Sequence, residues 1–234
     1  MEQDRAGAGW SGYWDGLPAG RILHEAESIE FARRLLAQVP LTRDDVVLDF
    51  GSGEGLAAEH LAPSVARIDC WDIAPSMRQS AATRLTRFQN ARVLDGDPSE
   101  DPERAGTYDY VVVNSVLQYL PVAELGGVIG SWRALLKPGG SVVLSDVIPT
   151  GRPFFVDTWD LIRFAARHRI LSRVILGAIR EMGRRRSIGL PPLTVVDPDT
   201  LRALAAVNGL EFRQLDRGLT HFRSRYAVVL TRAT

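Results

Sequence analysis

The chain has 234 residues, enough for one sizeable hydrophobic core rather than two, and a globular composition, 45% hydrophobic and 24% charged. Its 28 basic residues balance 28 acidic ones, so no global charge draws it to nucleic acid or an anionic membrane. Cys70 is the only cysteine, which excludes an internal disulfide and a cysteine-based zinc site.

No run of 18 uncharged apolar residues reads as a transmembrane helix, and the charged Met1–Arg5 start has no apolar stretch behind it. A soluble cytoplasmic protein is the expectation. Of the basic residues only Lys137 is a lysine, a bias that lowers the information in each arginine.

Residues 1–20 mix glycines with Trp10, Tyr13 and Trp14. They read either as a leader whose aromatics dock on the surface or as an arm over a ligand, with Tyr13 and Trp14 as lid residues. Residues 21–38 predict an amphipathic helix with Ile22, Ile29, Ala32, Leu35, Leu36 and Val39 on one side, stopped by Pro40. Val46–Phe50 then reads as a buried strand that runs into Gly51, Gly53 and Gly55, and a helix follows over 54–62.

Further strands are expected near 66–71, 91–95, 108–113 and 140–146, and helices near 75–86 and 122–136. Such alternation predicts a parallel sheet covered by helices on both faces. Cys70, inside a strand-like run, reads as a buried structural thiol. Lys137-Pro138-Gly139-Gly140 reads as the turn that ends a helix. Residues 150–197 break the alternation as an insertion with a helical pattern over Trp159–Met182. The chain closes with a helix over 198–208, a strand over 210–215, a turn at Asp216-Arg217-Gly218 and a strand over 222–231, the last two antiparallel.

In an open parallel sheet the ligand sits outside the carboxyl ends of the strands, so the residues at those ends form the candidate site. The first strand supplies Asp49, Gly51, Ser52, Gly53 and Gly55. The second ends at Asp72, with Ile73 and Met77 behind it, about twenty residues past the glycines, where an acid meets ribose hydroxyls. The third ends in Gly96-Asp97-Pro98, and the fourth in Asn114-Ser115 followed by Gln118-Tyr119. Asp49, Asp72 and Asp97 around glycines are too acidic for a diphosphate and suit a cationic nucleoside, such as one carrying sulfonium and ammonium groups. Singly, Asp49 could cap a helix and Asp97 could hold a turn.

On these residues the chain resembles the class I S-adenosylmethionine-dependent methyltransferases of the small-molecule, type 11/12-like group. The resemblance covers roughly 42–148 and, less specifically, 198–231. Asp49–Gly55 matches the family's first motif, Asp72 its ribose-binding acid and Gly96-Asp97 its adenine-side acid. Tyr108–Leu120 resembles its fourth-strand motif, and Leu135–Gly140 the turn before its fifth strand. The resemblance implies an α/β, Rossmann-like, three-layer αβα fold with a seven-stranded sheet, parallel except for an antiparallel last strand.

A single domain over 1–234 is expected, with an N-terminal arm and helix at 1–40 and a helical substrate lid at 150–197. The implied cofactor is S-adenosyl-L-methionine, with S-adenosyl-L-homocysteine as product. The implied reaction is in-line methyl transfer to a small, largely apolar metabolite of secondary metabolism, at oxygen before carbon or nitrogen. Asn114 is followed by Ser115-Val116-Leu117 rather than by a proline pair and an aromatic, which disfavours nucleobase-amino and glutamine methylation. With the neutral charge it also disfavours an RNA substrate. Gln118 stands near where several small-molecule members carry a histidine.

A hydroxyl nucleophile needs a base, and histidine near its ordinary pKa suits that task. His60 and His168 read as surface or filler, while His24 opens the first helix and could face the pocket. His221, at the mouth after the 210–215 strand, is the candidate base or acceptor contact, with Tyr13, Trp14, His24, Gln118, Tyr119 and Trp159 near the acceptor.

In the insertion, Trp159, Ile162, Phe164, Ile170, Val174 and Ile175 supply an apolar face opposite Arg163, Arg167, Arg169, Arg173 and Arg180, with Arg184–Arg186 beyond. It reads as an ordinary lid with solvated arginines, or as a basic surface for an acidic carrier protein or membrane lipid. A cofactor-binding protein that does not methylate would share every motif, and a carrier-bound or lipid-like acceptor stays open. A nicotinamide dehydrogenase conflicts with Asp49 and with the lack of a Tyr-x-x-x-Lys pair.

Overall fold

The computed structural model describes residues 22–151, 154–168 and 192–234. A seven-stranded sheet has the order β3-β2-β1-β4-β5-β7-β6. Its strands are β1 (Val46–Phe50), β2 (Arg67–Trp71), β3 (Ala91–Val93), β4 (Tyr108–Asn114), β5 (Leu136–Val147), β6 (Leu210–Gln214) and β7 (Tyr226–Arg232). β1 pairs in parallel with β2 and β4, as do β2 with β3 and β4 with β5, while β7 runs antiparallel between β5 and β6. Strand order reverses between β1 and β4, the crevice where open α/β sheets bind ligands.

The helices are α1 (Ile22–Gln38), α2 (Leu56–Leu61), α3 (Pro75–Leu85), α4 (Leu125–Leu135), α5 (Phe154–Arg167) and α6 (Pro198–Val207). Alternate residues of each buried strand feed two cores. Leu48, Val111, Val113 and Leu144 join Ile129 and Trp132 of α4 and Leu201 of α6 on one face. Val47, Ile68, Cys70, Val112 and Val143 join Phe31 and Leu35 of α1 and Ala58 and Leu61 of α2 on the other. The result is the expected three-layer arrangement. Cys70 is a buried free thiol, and burial pushes its pKa up.

Three expectations need correction. The buried stripe of α1 is Phe31, Ala32, Leu35 and Val39, whereas Ile29 and Leu36 face outward. The stripe is turned toward Phe31, because that ring fills the α1–α2 side of the sheet, and the turn carries Glu27 and Ser28 inward. Lys137–Gly140 is not a separate turn but part of β5, which starts at Leu136. The step from Leu136 to Ser141 lies opposite the step from Tyr108 to Tyr110, an irregularity in the ladder that absorbs Pro138 and Gly139. β7 starts at Tyr226 rather than 222, so Leu215–Arg225 forms a longer loop over the sheet's end instead of a tight turn.

The insertion helix begins at Phe154, before the expected Trp159. Its buried face carries Asp157, Asp160, Phe164 and Ala165, while Trp159 and Ile162 are exposed. The two acids turn inward because Arg225 and Arg223 meet them, with Arg225 Nη2 donating to Asp157 Oδ2 at 2.9 Å and Arg223 Nε to Asp160 Oδ1 at 2.7 Å. Arg163, Arg167 and His168 are exposed, as a solvated face requires. The arginines and apolar residues expected over 169–186 lie outside the described residues. Among the described residues no helix is long and apolar enough to cross a membrane.

Candidate active site

One cavity of about 700 Å³ opens at the carboxyl ends of β1, β2, β4 and β5. Its first wall is the β1–α2 loop. Gly51, Gly53 and Gly55 all have positive φ, at 76°, 54° and 72°. A Cβ on Gly51 would stand 2.2 Å from Val116 Cγ2, so only glycine fits there, whereas a Cβ on Gly53 would meet nothing within 4 Å. Gly55 does not line the cavity; it is buried against Ala81 and Leu85 of α3, which lets that helix approach.

Asp72 ties this wall together, its carboxylate accepting the Gly53 and Ala74 N–H groups at 2.9 Å each. Ile73 and Met77 flank it, and Asp97 lines the next edge while capping Ser99, whose N–H it accepts at 2.8 Å. Asp97 therefore holds a turn and lines the cavity as well. Gly96 and Pro98 stand beside it without lining the cavity.

Asp49 is 3% exposed. Burial, and then the negative charge of Asp72, raise its pKa from 3.8 to about 7. Asp49, Ser52 and Asn114 line the cavity, and Asp49 Oδ2, Ser52 Oγ and Asn114 Oδ1 are buried with no hydrogen-bond partner among the described residues. Buried acceptors left unpaired are costly unless a ligand completes them. Three of them, one a carboxylate, beside the glycine loop fit a ligand that carries hydroxyls and positive charge, which is the chemistry of S-adenosylmethionine.

The opposite wall was only partly foreseen. Ser115 and Asp146, at the ends of β4 and β5, both adopt left-handed backbone, with φ 59° and 63°. Non-glycine residues hold that conformation where surrounding bonds fix it. Asp146 accepts from Ser115 Oγ at 2.8 Å, Thr220 Oγ1 at 2.9 Å and Arg225 Nη1 at 2.6 Å. Arg225 also reaches Gln118 Oε1 at 3.3 Å, and Gln118 Nε2 donates to the Ser115 carbonyl at 3.3 Å. Gln118 and Tyr119 do line the cavity, but Gln118 is bound into this network rather than held out to an acceptor.

His221 lines the same end, its side chain 5% exposed. Its ring lies between Phe164 (centroids 4.4 Å apart) and Phe222 (3.9 Å). Burial first, then the positive charge of Arg225, lower its pKa from 6.5 to about 4. The premise of a histidine near its ordinary pKa is thus corrected, because the aromatic sandwich removes the water that would solvate an imidazolium.

Trp159 does not reach the site; it is 57% exposed and absent from the cavity wall. Tyr13, Trp14 and the side chain of His24 lie outside the described residues. Sequence reasoning missed Glu27, Asp146, Thr220 and Arg225. The signal for Glu27 was a carboxylate one turn before Phe31 in the true stripe of α1. Asp146, at the end of β5, was open to the strand-end rule already applied to β1 through β4.

Residues 47–140 match a family model described as a methyltransferase domain. The chain is 34% identical over 128 residues to a trans-aconitate 2-methyltransferase of Methylobacterium radiotolerans, covering 54% of this chain and 47% of that one. It is 31% identical over 135 residues to a protein-L-isoaspartate O-methyltransferase of Syntrophobacter fumaroxidans, covering 57% and 50%. The chain thus spans about half the length of these curated relatives. Among solved structures, the magnesium protoporphyrin IX methyltransferase of Synechocystis PCC 6803 with bound SAH shares the fold at a TM-score of 0.60 and 19% identity, covering 97% of this chain and 94% of that one.

Proposed function

We propose that the chain is a class I S-adenosylmethionine-dependent methyltransferase, a reading supported by the methyltransferase-domain match over 47–140 and the shared fold, and that it methylates an oxygen of a small, largely apolar acceptor, with His221 as proton acceptor. The observation that carries this reading is the continuity of the cavity, which joins the unpaired acceptors of Asp49, Ser52 and Asn114 to the buried ring of His221.

Asp72 and Asp97 would hold the adenosine hydroxyls and base, and Asp49 the positive charge, with Ile73 and Met77 as apolar packing. When bound, S-adenosylmethionine supplies a methyl carbon made electrophilic by its sulfonium. The chain's own part is chiefly to bring the acceptor oxygen into line and to exclude water, since aligned reactants within about 3–3.5 Å react at high effective concentration. Leu120, Leu193 and Phe222 line the acceptor end and favour an apolar body. His221 is uncharged at neutral pH and keeps a lone pair for the acceptor's proton. Asp146, holding Ser115, Thr220 and Arg225, fixes the loops on which that ring and the β4 end are mounted.

The test is incubation with methyl-labelled S-adenosylmethionine and a panel of phenols, enols and carboxylic acids, comparing wild type with His221→Phe, which preserves the aromatic stack. Expected are an O-methyl product, an equal amount of S-adenosylhomocysteine, and a 10²–10⁴-fold lower turnover in His221→Phe, on the order of a general base's contribution. Label on carbon or nitrogen, or none with S-adenosylmethionine bound, overturns the oxygen assignment. Undiminished turnover in His221→Phe with both substrates saturating removes the base.

A further inference from the structure

Nothing in the reaction as described uses Glu27. It lies one turn before Phe31 on the inward face of α1, its side chain 30% exposed into the cavity that His221 also lines. Glu27 Oε1 stands 3.4 Å from His221 Nδ1. Both ring nitrogens of His221 are buried without a hydrogen-bond partner among the described residues. A buried imidazole with neither nitrogen engaged is unusual, and the carboxylate beside it is the group placed to engage one. Hydrogen bonds of catalytic groups are often long before ligands bind and tighten afterwards.

We propose, resting on the oxygen-methylation reading, that Glu27 is the positioning residue of His221: its carboxylate accepts the Nδ1–H of the imidazole and leaves the Nε2 lone pair for the acceptor's proton. In that step the acceptor's O–H bond breaks and its proton forms an N–H bond at Nε2. The electron pair stays on oxygen, which bonds the methyl carbon while sulfur keeps the pair of the broken C–S bond. The imidazolium, stabilised by the Glu27 carboxylate, then returns its proton to water at the cavity mouth. A carboxylate behind an imidazole fixes its tautomer and stabilises the charge that forms on it.

The charges around the pair determine when it is competent. Asp146 at the end of β5 and Arg225 before β7 face Glu27, while Arg225, Asp160 of α5, His168 just after that helix and Arg34 of α1 face His221. Burial, then Asp146, raise the Glu27 pKa from 4.5 to about 8, against the pull of Arg225. Near neutral pH Glu27 therefore keeps its proton and can donate it to the ring, which leaves the ring hydrogen on Nε2, the wrong nitrogen for a base. As pH rises through about 8 the carboxylate forms and draws that hydrogen to Nδ1. This device suits an acceptor hydroxyl acidic enough to give up its proton in mild alkali, a phenol or enol rather than an alkanol.

The test uses the full chain labelled with ¹⁵N-histidine, following the His221 ring nitrogens from pH 5 to 10 in wild type, Glu27→Gln and Glu27→Asp, with His221→Phe to assign the signals. The proposal expects a step near pH 8 in wild type to the Nδ1–H form, retained in Glu27→Asp and lost in Glu27→Gln. A phenol found active in the acceptor panel should show kcat rising through the same pH, a rise absent in Glu27→Gln while KM for S-adenosylmethionine is unchanged. A His221 profile identical in wild type and Glu27→Gln overturns the proposal, whatever His221→Phe does to turnover. Conversely, a Glu27-dependent step with full turnover in His221→Phe removes the base assignment and leaves the pair itself standing.

Discussion

Asp49→Asn separates what the carboxylate costs the empty protein from what it gives the ligand. Asp49 is buried and its Oδ2 is unpaired among the described residues, so its ionised form is disfavoured. Its pKa rises from 3.8 to about 7, chiefly by burial and then by Asp72. A carboxyl with a raised native pKa binds more protons folded than unfolded between those values, so its contribution to stability falls as pH rises from about 4 to about 7.

At pH 8 the roughly three-unit difference amounts to about 4 kcal/mol of destabilisation. Asparagine removes the charge but brings an amide with unmet donors, returning about 1–3 kcal/mol of cost. The variant should therefore be about 1–3 kcal/mol more stable than wild type at pH 8, with the gain shrinking as pH falls toward 4. Its affinity for S-adenosylmethionine should drop at least about tenfold, in keeping with a lost charge-assisted bond of about 1.5–3 kcal/mol. Urea unfolding at pH 5 and pH 8 and calorimetric titration with the cofactor measure both. A variant less stable than wild type at pH 8 with undiminished affinity would refute the reasoning.

Gly51→Ala should destabilise by about 2–4 kcal/mol, since its Cβ meets Val116 in a left-handed backbone, while Gly53→Ala should cost only about 1 kcal/mol for the backbone alone. Equal losses in urea unfolding would contradict this. Arg225→Met leaves Asp146 and Asp157 without their shared cation and should cost about 3–5 kcal/mol by thermal unfolding, a loss under about 1 kcal/mol being the contrary result. His221 has its pKa lowered from 6.5 to about 4, so the stability it contributes above pH 6.5 is lost as pH falls through that window, about 3 kcal/mol in all. His221→Phe should abolish that part of the acid sensitivity, and identical unfolding curves at pH 4.5 and 6.5 in wild type would count against it.

The fold was legible because strand–glycine–helix alternation is a local signal, repeated down the chain. Strand ends could be read as a list of candidate site residues because a parallel sheet collects them on one side, and Asp49, Asp72, Asp97 and Asn114 from that list line the cavity. What escaped depended on tertiary choices. On α1 the expected stripe included Ile29 and Leu36, but packing of Phe31 against the sheet turned the helix so that those two face outward and Glu27 faces in. α5 buries Asp157 and Asp160, against their polarity, only because arginines from the Leu215–Arg225 loop meet them. Trp159, the most conspicuous residue of that helix, consequently faces outward.

The most direct measurement is a crystal structure of the chain with S-adenosylhomocysteine bound. The nucleoside is expected at Asp72 and Asp97, the amino acid portion at Asp49 and Asn114, and open volume between the sulfur and His221. S-adenosylhomocysteine lying against Glu27 and His221, with the glycine wall empty, would contradict it.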